Sequence, residues 1–570
     1  MRSIWREPRL APDTLDITRW ESFFTTREGA ISDLENLRES VSWRVAAPIR
    51  HAASFARRAR LLGNGSHGTI HPPGSAAASL DSRLRVVAPH ILGRAAGVAA
   101  TTEQLFNDLC AAASDGDDDR LAWLLFIGAA GAMPDPPRLA SFTRLLRRQG
   151  QPGFMDGVLD LCGRTAIEWH SQLRALRVET EKPIVVVDFV ARHGFNSGVQ
   201  RVTREVARRW NAEGVTFVAM HGDSAFRDLD ADEGARVHSW RSQMYDERSE
   251  TWADPHAEVV VPWNTTVVLL EVPNSIQSSV ISALAHRSGN RTVAVGYDTI
   301  PISSASLVSA ADSINHAAYL NVLRHVDKVV AISASAEQEF AGFKRALAAQ
   351  GLRGPSIEHL LLPVQAIPSE EAQSSEPAVQ WDPTSSERLV LAVGSHEPRK
   401  NHFAIVYAAE RLWREGLEFS LMLVGGRGPD DYTDVHDAVV ALRRIGRRID
   451  IRNSVSDEAL AAAYASARCS VFLSLHEGFG LPVAESLAAG TPVLTTEYGS
   501  TAEIAAAGGC VLVNPRDDDA IRDAMRAMIT DDELIVGLRK EIATRIDTTW
   551  DDFARDLWRL AISSEASVAE

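Results

Sequence analysis

Twice along this chain, six short apolar runs rich in β-branched residues alternate with stretches of helical periodicity. The first series is PIVVVDFV (183–190), VTFVAM (215–220), VVVPW (259–263), TVVLLEV (266–272), RTVAVGYD (291–298) and DKVVAIS (327–333). The second is RLVLAVGS (388–395), FSLMLVGG (419–426), IDIRNSV (449–455), CSVFLSL (469–475), PVLTTE (492–497) and CVLVNP (510–515). A strand that is apolar throughout is buried on both faces, and the intervening helices supply the cover. Each series therefore predicts a parallel, doubly wound sheet. The Pro/Ser/Glu-rich stretch 363–386 between them reads as a linker. Two Rossmann-like domains on one chain leave ligands the crevice at the carboxyl ends of the strands.

Ahead of Lys182 the pattern is different, with amphipathic helical periodicity and few strand signals over 1–180. The expected division is a helical segment over 1–82, a helical accessory module over 83–180, Rossmann-like domains over 181–370 and 386–548, and a closing helix and tail over 549–570. A hydrophobic content of 45 % with 24 % charged residues is ordinary for a folded chain. The net charge of −16 argues against a dedicated nucleic-acid binder. The apolar run LAWLLFIGAAGAM (121–133) falls short of the roughly 20 residues a membrane span needs, and the residues after Met1 do not resemble a secretory leader. An intracellular protein is expected. Cys110, Cys162, Cys469 and Cys510 lie far apart, which predicts neither a disulfide framework nor a structural zinc site but buried small side chains.

The densest chemical signal is CSVFLSLHEGFGLPVAESLAAGTPVL (469–494). Its strand ends near Leu475, the loop HEGFGL follows, Pro482 suits a first helical turn, and Gly490 suits the helix end. Gly478 and Gly480 allow close approach of backbone to a ligand, and the helix start offers N–H groups to an anion. Glu477 and Glu485, in loop and helix, can address different parts of one extended ligand. A second signal, LAVGSHEPRKNH (391–402), sets Arg399 and Lys400 at a loop-helix junction, where guanidinium and ammonium can clamp adjacent phosphates. The chain has only five lysines among 59 basic residues, so a lysine at this junction is unexpected from composition.

EPRKN, LVGG and EGFGLPVAESLAAGTPV together resemble the C-terminal half of retaining GT-B glycosyltransferases of family 4, with Glu477 and Glu485 as its two spaced glutamates. Upstream, NSGVQRVTREV (196–206) resembles that family's glycine loop and first helix, YDTIPI (297–302) its HDxxP segment, and VVAISASAEQEF (329–340) a strand-helix step. The resemblance implies an acceptor-side domain followed by a nucleotide-sugar-binding domain. It gives the ribose to Glu485, the diphosphate to Arg399 and Lys400, and the transferred sugar to Glu477 with the backbone of Gly478, Phe479, Gly480 and Leu481. Gly198 would face the phosphate from the opposite domain, and Asp298, with Glu477 and Lys400, would carry catalysis. No metal or other cofactor is implied. Two departures stand out: Tyr297 occupies the position of the family's His, and Ser395 follows Gly394 where many members have Arg.

Within SWRVAAPIRHAASFARRARLL (42–62), Arg44, Arg50, Arg57, Arg58 and Arg60 accompany an apolar stripe, the composition of an interfacial helix drawn to anionic lipid. SWRVAAPIR also resembles a segment attached to bacterial surface-polysaccharide glycosyltransferases. Residues 105–163 weakly resemble small helical repeats of such proteins and read as a module for partner, acceptor or oligomer contacts. The expected protein is a retaining, metal-independent hexosyltransferase. It moves a sugar, mannose from GDP-mannose being the weighted choice, onto a glycan or lipid-linked glycan at the cytoplasmic membrane face. An epimerase or hydrolase on the same scaffold, or a non-catalytic sugar-nucleotide binder, are the alternatives.

Overall fold

The computed structural model describes residues 76–97, 100–114, 119–149, 154–194, 197–239, 257–365, 388–426, 433–453 and 455–563. The basic stretch 44–62 lies outside the described residues.

Five helices come first: α1 (Ala76–Leu92), α2 (Thr102–Ser114), α3 (Asp119–Ala130), α4 (Pro136–Leu146) and α5 (Phe154–Glu168). Most of the apolar run LAWLLFIGAAGAM lies in α3, buried at every position from Ala122 to Ala130. It is sheathed by the other four helices and by the helix Ser275–Arg287 of the adjoining domain. No helix among the described residues is long and apolar enough to cross a membrane. The Arg83 guanidinium donates to the carbonyls of Gly128 (3.0 Å) and Ala129 (3.2 Å) at the end of α3, and to those of Gln172 (3.2 Å) and Arg174 (3.1 Å). One buried charge thus satisfies helix-end carbonyls and ties α3 to the chain entering the sheet.

All twelve apolar runs form strands. The first sheet has nine: β1 (Leu176–Glu179), β2 (Ile184–Val186), β3 (Thr216–Met220), β4 (Phe226–Asp228), β5 (Val259–Pro262), β6 (Thr266–Leu269), β7 (Arg291–Gly296), β8 (Lys328–Ala331) and β9 (Ser356–His359), in the order β1-β5-β4-β3-β2-β6-β7-β8-β9. Its pairings are parallel except those of β4, which runs antiparallel to β3 and β5. Strands β1, β4 and β9 have no counterpart among the twelve runs, because charged residues such as Arg177, Glu179, Arg227, Asp228 and Glu358 interrupt their apolar character. Leu84, Trp123, Phe126 and Phe142 of the helices share one apolar core with Ile184, Phe226, Val260 and Tyr319. The expected boundary at 180/181 therefore divides a common core, and β1 lies before it.

The second sheet holds β10 (Leu389–Val393), β11 (Ser420–Val424), β12 (Ile449–Arg452), β13 (Cys469–Phe472), β14 (Val493–Thr496) and β15 (Cys510–Val513), all parallel, in the order β12-β11-β10-β13-β14-β15. The fold is thus α/β, two doubly wound sheets preceded by helices, the arrangement expected of GT-B. The strand order reverses between β10 and β13, where ligands enter sheets of this kind. A second apolar core crosses between the sheets. Val187, Val202, Tyr297 and Ile332 meet Phe472, Phe479, Val483 and Ile504 in it, and Trp550 and Leu557 of the last helix (Trp550–Ala561) join them. That helix returns to the first domain, where Trp210 Nε1 donates to the Ala554 carbonyl at 3.0 Å. Cys110, Cys162 and Cys469 are buried as expected, while Cys510 is partly exposed.

Candidate active site

The loops after β10 and β13 meet at the strand-order reversal. Pro398–Lys400 form a 3₁₀ turn, and the Arg399 carbonyl accepts from Leu475 N (2.8 Å) and Ser474 Oγ (3.1 Å), which draws the two loops together. Three motif side chains then converge: Glu477 Oε1 accepts from Arg399 Nη1 at 2.8 Å and from Lys400 Nζ at 2.6 Å. Burial alone would raise the Glu477 carboxyl, but Lys400 and Arg399 outweigh it and hold it at about 2. Glu477 is therefore ionised throughout the physiological range. The Lys400 ammonium also lies 5.2 Å from the centroid of the Phe472 ring.

The EGFG turn is pressed against the first domain. A Cβ on Gly478 would stand 2.4 Å from the Tyr297 carbonyl oxygen and 3.1 Å from Asp298 Oδ2. Gly480, at φ 110°, takes a conformation that side chains resist. Ser333 Oγ donates to the Gly478 carbonyl at 2.6 Å. His476 binds Glu339 Oε1 through Nε2 (2.6 Å) and Ser304 Oγ through Nδ1 (2.8 Å). The Glu503 carboxylate accepts from Ala334 N (2.9 Å) and Ser335 N (2.6 Å), an anion on the N-terminus of helix Ala334–Ala348. Phe479 is buried in the interdomain core and anchors the turn by packing. Gly198 does face the opposite domain, where a Cβ would lie 3.2 Å from Leu481 Cδ1.

Asp298 stands beside this turn, its Oδ1 accepting from Ile300 N at 3.0 Å. Burial pushes its carboxyl up to about 6, helped by the nearby Glu339 and Glu477 charges. Tyr297 points the other way. Its buried hydroxyl donates to the Leu270 carbonyl at 2.6 Å inside the first domain. The position that the resemblance reserves for a histidine near the sugar is here a core tyrosine, which leaves Asp298 as the polar group of that segment beside the cleft. His396 is also a packing residue, 1 % exposed and hydrogen-bonded to His436 at 3.0 Å; burial and then His436 push it down to about 4. His193 contributes its carbonyl, which accepts from Arg204 Nη2 at 2.6 Å.

Glu485 lies in helix Leu481–Ala488, 8 % exposed. One carboxylate oxygen pairs with Arg201 Nη1 from the first domain, and the other accepts from Tyr464 Oη at 3.1 Å. Burial raises its carboxyl, against the pull of Arg201. The structure thus joins Glu477, Arg399, Lys400, Gly478 and Asp298 in one cluster and sets Glu485 in a second with Arg201. Arg201, Tyr464, Ser333, Glu339 and Glu503 carry no sequence signal of their own for these roles. Arg201, Ser333 and Glu339 fall inside strings quoted for other residues, so their strings were visible while their partners were not. Among the described residues no group of three His, Cys, Asp or Glu is placed to hold a metal ion.

Residues 377–545, the stretch that carries Arg399, Lys400, Glu477 and Glu485, match the family described as glycosyl transferases group 1. Over 357 residues the chain is 25 % identical to the serotype-specific mannosyltransferase WbdA of Escherichia coli, a match covering 60 % of this chain and 41 % of that protein. It is 34 % identical over 172 residues to the O-antigen chain mannosyltransferase B of Escherichia coli, covering 30 % of this chain and 42 % of the relative. The chain thus spans about two-fifths of the length of these curated relatives. Among solved structures, a sucrose-phosphate synthase from Thermosynechococcus elongatus superposes with a TM-score of 0.45 at 17 % identity, over 67 % of this chain and 98 % of that one.

Proposed function

We propose that this chain is a retaining GT-B glycosyltransferase of the family 4 type. It transfers a hexose, mannose from GDP-mannose as the first choice, to a glycan acceptor in surface-polysaccharide synthesis. The observation that carries this reading is the convergence of Arg399 and Lys400 on Glu477 at the strand-order reversal, with Asp298 supplied from the opposite domain. As the bond between sugar and diphosphate breaks, negative charge gathers on the leaving group. Cations already fixed in place stabilise that charge more in the transition state than in the ground state. Glu477 fixes both cations before the donor arrives, and its second role is toward the transferred sugar. The mannosyltransferase names of the relatives support the sugar, and the O-antigen name supports the acceptor class. Work at the cytoplasmic membrane face and the implied absence of a metal requirement belong to the same proposal.

The test is a thermal-shift screen of sugar nucleotides followed by an assay of nucleoside diphosphate release with and without glycan acceptor. Release that requires acceptor, and is lost in Lys400→Ala, supports the transferase. Sugar altered or hydrolysed without acceptor overturns it in favour of an epimerase or hydrolase. Donor binding with no turnover on any acceptor leaves a sugar-nucleotide-binding scaffold instead.

A further inference from the structure

The motif cations of the second domain do not stand alone. Arg399 meets Glu477 at 2.8 Å and Glu397 at 3.4 Å, while Lys400 meets Glu477 at 2.6 Å. Two cations thus share this cluster with two carboxylates, and the second cluster brings a third, Glu485. A dianionic diphosphate entering that set gains little net attraction.

Arg201 alters the balance. It rises from the first turn of helix Gly198–Trp210, whose N-terminus already abuts Leu481 across the cleft, and its Nη1 holds Glu485. Both side chains of that pair are 10 % exposed. A guanidinium carries five N–H donors in a fixed fork, so one nitrogen on Glu485 leaves others for a second acceptor. Among the described residues, no other side-chain acceptor of Arg201 is present. In a nucleoside diphosphate only a few bonds separate the ribose hydroxyls from the α-phosphate. A cation seated on a ribose-binding carboxylate is therefore within a side chain's reach of that phosphate. The positive end of a 13-residue helix adds to its field.

We infer that Arg201 is a third phosphate-binding cation, supplied across the cleft by the first domain and stored on Glu485 until the donor enters. This rests on the proposed function, because it takes the second domain to be the nucleotide site. Arg201 then links donor binding to domain closure: the nucleotide is gripped fully only when the helix from Gly198 stands over Leu481.

The experiment compares the full chain with Arg201→Ala and Arg201→Lys by calorimetry, using whichever of GDP, UDP and ADP the wild type binds and the matching unphosphorylated nucleoside. Circular dichroism and the melting temperature report folding. We expect Arg201→Ala to weaken the diphosphate by about 10-fold or more, as loss of a charge-assisted hydrogen bond implies. Affinity for the nucleoside should stay within about threefold. Arg201→Lys should recover part of the loss, and donor KM should rise more than kcat falls. If Arg201→Ala tightens diphosphate and nucleoside together, the arginine only masks Glu485 and the inference fails. An equal loss for both ligands makes Arg201 a support of the ribose side and also overturns it. If the wild type binds no nucleoside diphosphate, the reading of the site itself is wrong, a result distinct from a wild type that binds and an Arg201→Ala that binds equally well.

Discussion

Lys400 and Glu477, 77 positions apart in sequence, meet at 2.6 Å because their loops leave neighbouring strands on either side of the strand-order reversal. Arg399 shares the same carboxylate oxygen. The carboxylate therefore organises the site's cations as well as any ligand it touches.

That sharing sets the outcome of Glu477→Gln. Removing the negative charge frees two cations for phosphate, so affinity for the nucleoside diphosphate alone should rise by roughly threefold to tenfold. Turnover with saturating donor should fall by about 100-fold, because the cations lose their fixed positions and the sugar its partner. Calorimetry and steady-state rates check the two halves. Wild-type turnover would remove Glu477 from the chemistry.

Gly478→Ala tests the contact between the domains. The added Cβ would stand 2.4 Å from the Tyr297 carbonyl oxygen, a backbone atom that cannot swing aside. We expect the EGFG turn to withdraw from the first domain and activity to fall by about 100-fold or more, with each sheet still folded. Small-angle scattering should show a more open molecule. A variant as compact and active as the wild type would mean that the observed closure is not needed for catalysis.

The His476–Glu339 pair makes closure sensitive to pH. The hydrogen bond that His476 donates to Glu339 raises the imidazole above its ordinary 6.5, outweighing burial. For Glu339, burial acts upward, but the hydrogen bonds of His476 and Thr299 bring it below its ordinary 4.5. A raised histidine stabilises the closed form fully below 6.5 and loses that contribution as pH climbs through its raised value. A lowered carboxylate contributes above 4.5 and fails as pH falls through its lowered value. The contribution is therefore greatest between about 4.5 and 6.5 and declines on the alkaline side. His476→Gln should flatten the alkaline decline in melting temperature. An unchanged slope would show that another group sets it.

Trp210 carries the last helix. Its ring is fully buried, donates to the Ala554 carbonyl and stands edge-on to Trp558 at 5.3 Å. Trp210→Ala should cost about 3–5 kcal/mol by denaturant unfolding, and Trp210→Phe clearly less. Limited proteolysis should release the helix Trp550–Ala561 from the alanine variant first. Equal resistance in both variants would place the anchor elsewhere, as in the Arg291 contacts to the Leu560 and Ala561 carbonyls.

Local sequence determined the elements and much of the chemistry. Twelve runs such as VVVP and LVLAV became strands because continuous apolar character admits only burial on both faces. Pro482 and Gly490 bracket a helix because one fixes φ and the other takes a positive value, 79°. Strands β1, β4 and β9 were not legible, since sheet neighbours rather than their own apolarity hold them. The partners of the site were not legible either. Nothing in GVQRV says that Arg201 will hold Glu485, 284 positions away, or that Tyr297 will turn its hydroxyl to Leu270 and leave Asp298 beside the cleft. The first pairing depends on how two separately wound domains meet across the cleft, and the second on how neighbouring segments of the first domain pack. Hydrophobic periodicity encodes what each segment buries, and only the packed structure decides which buried charges must meet.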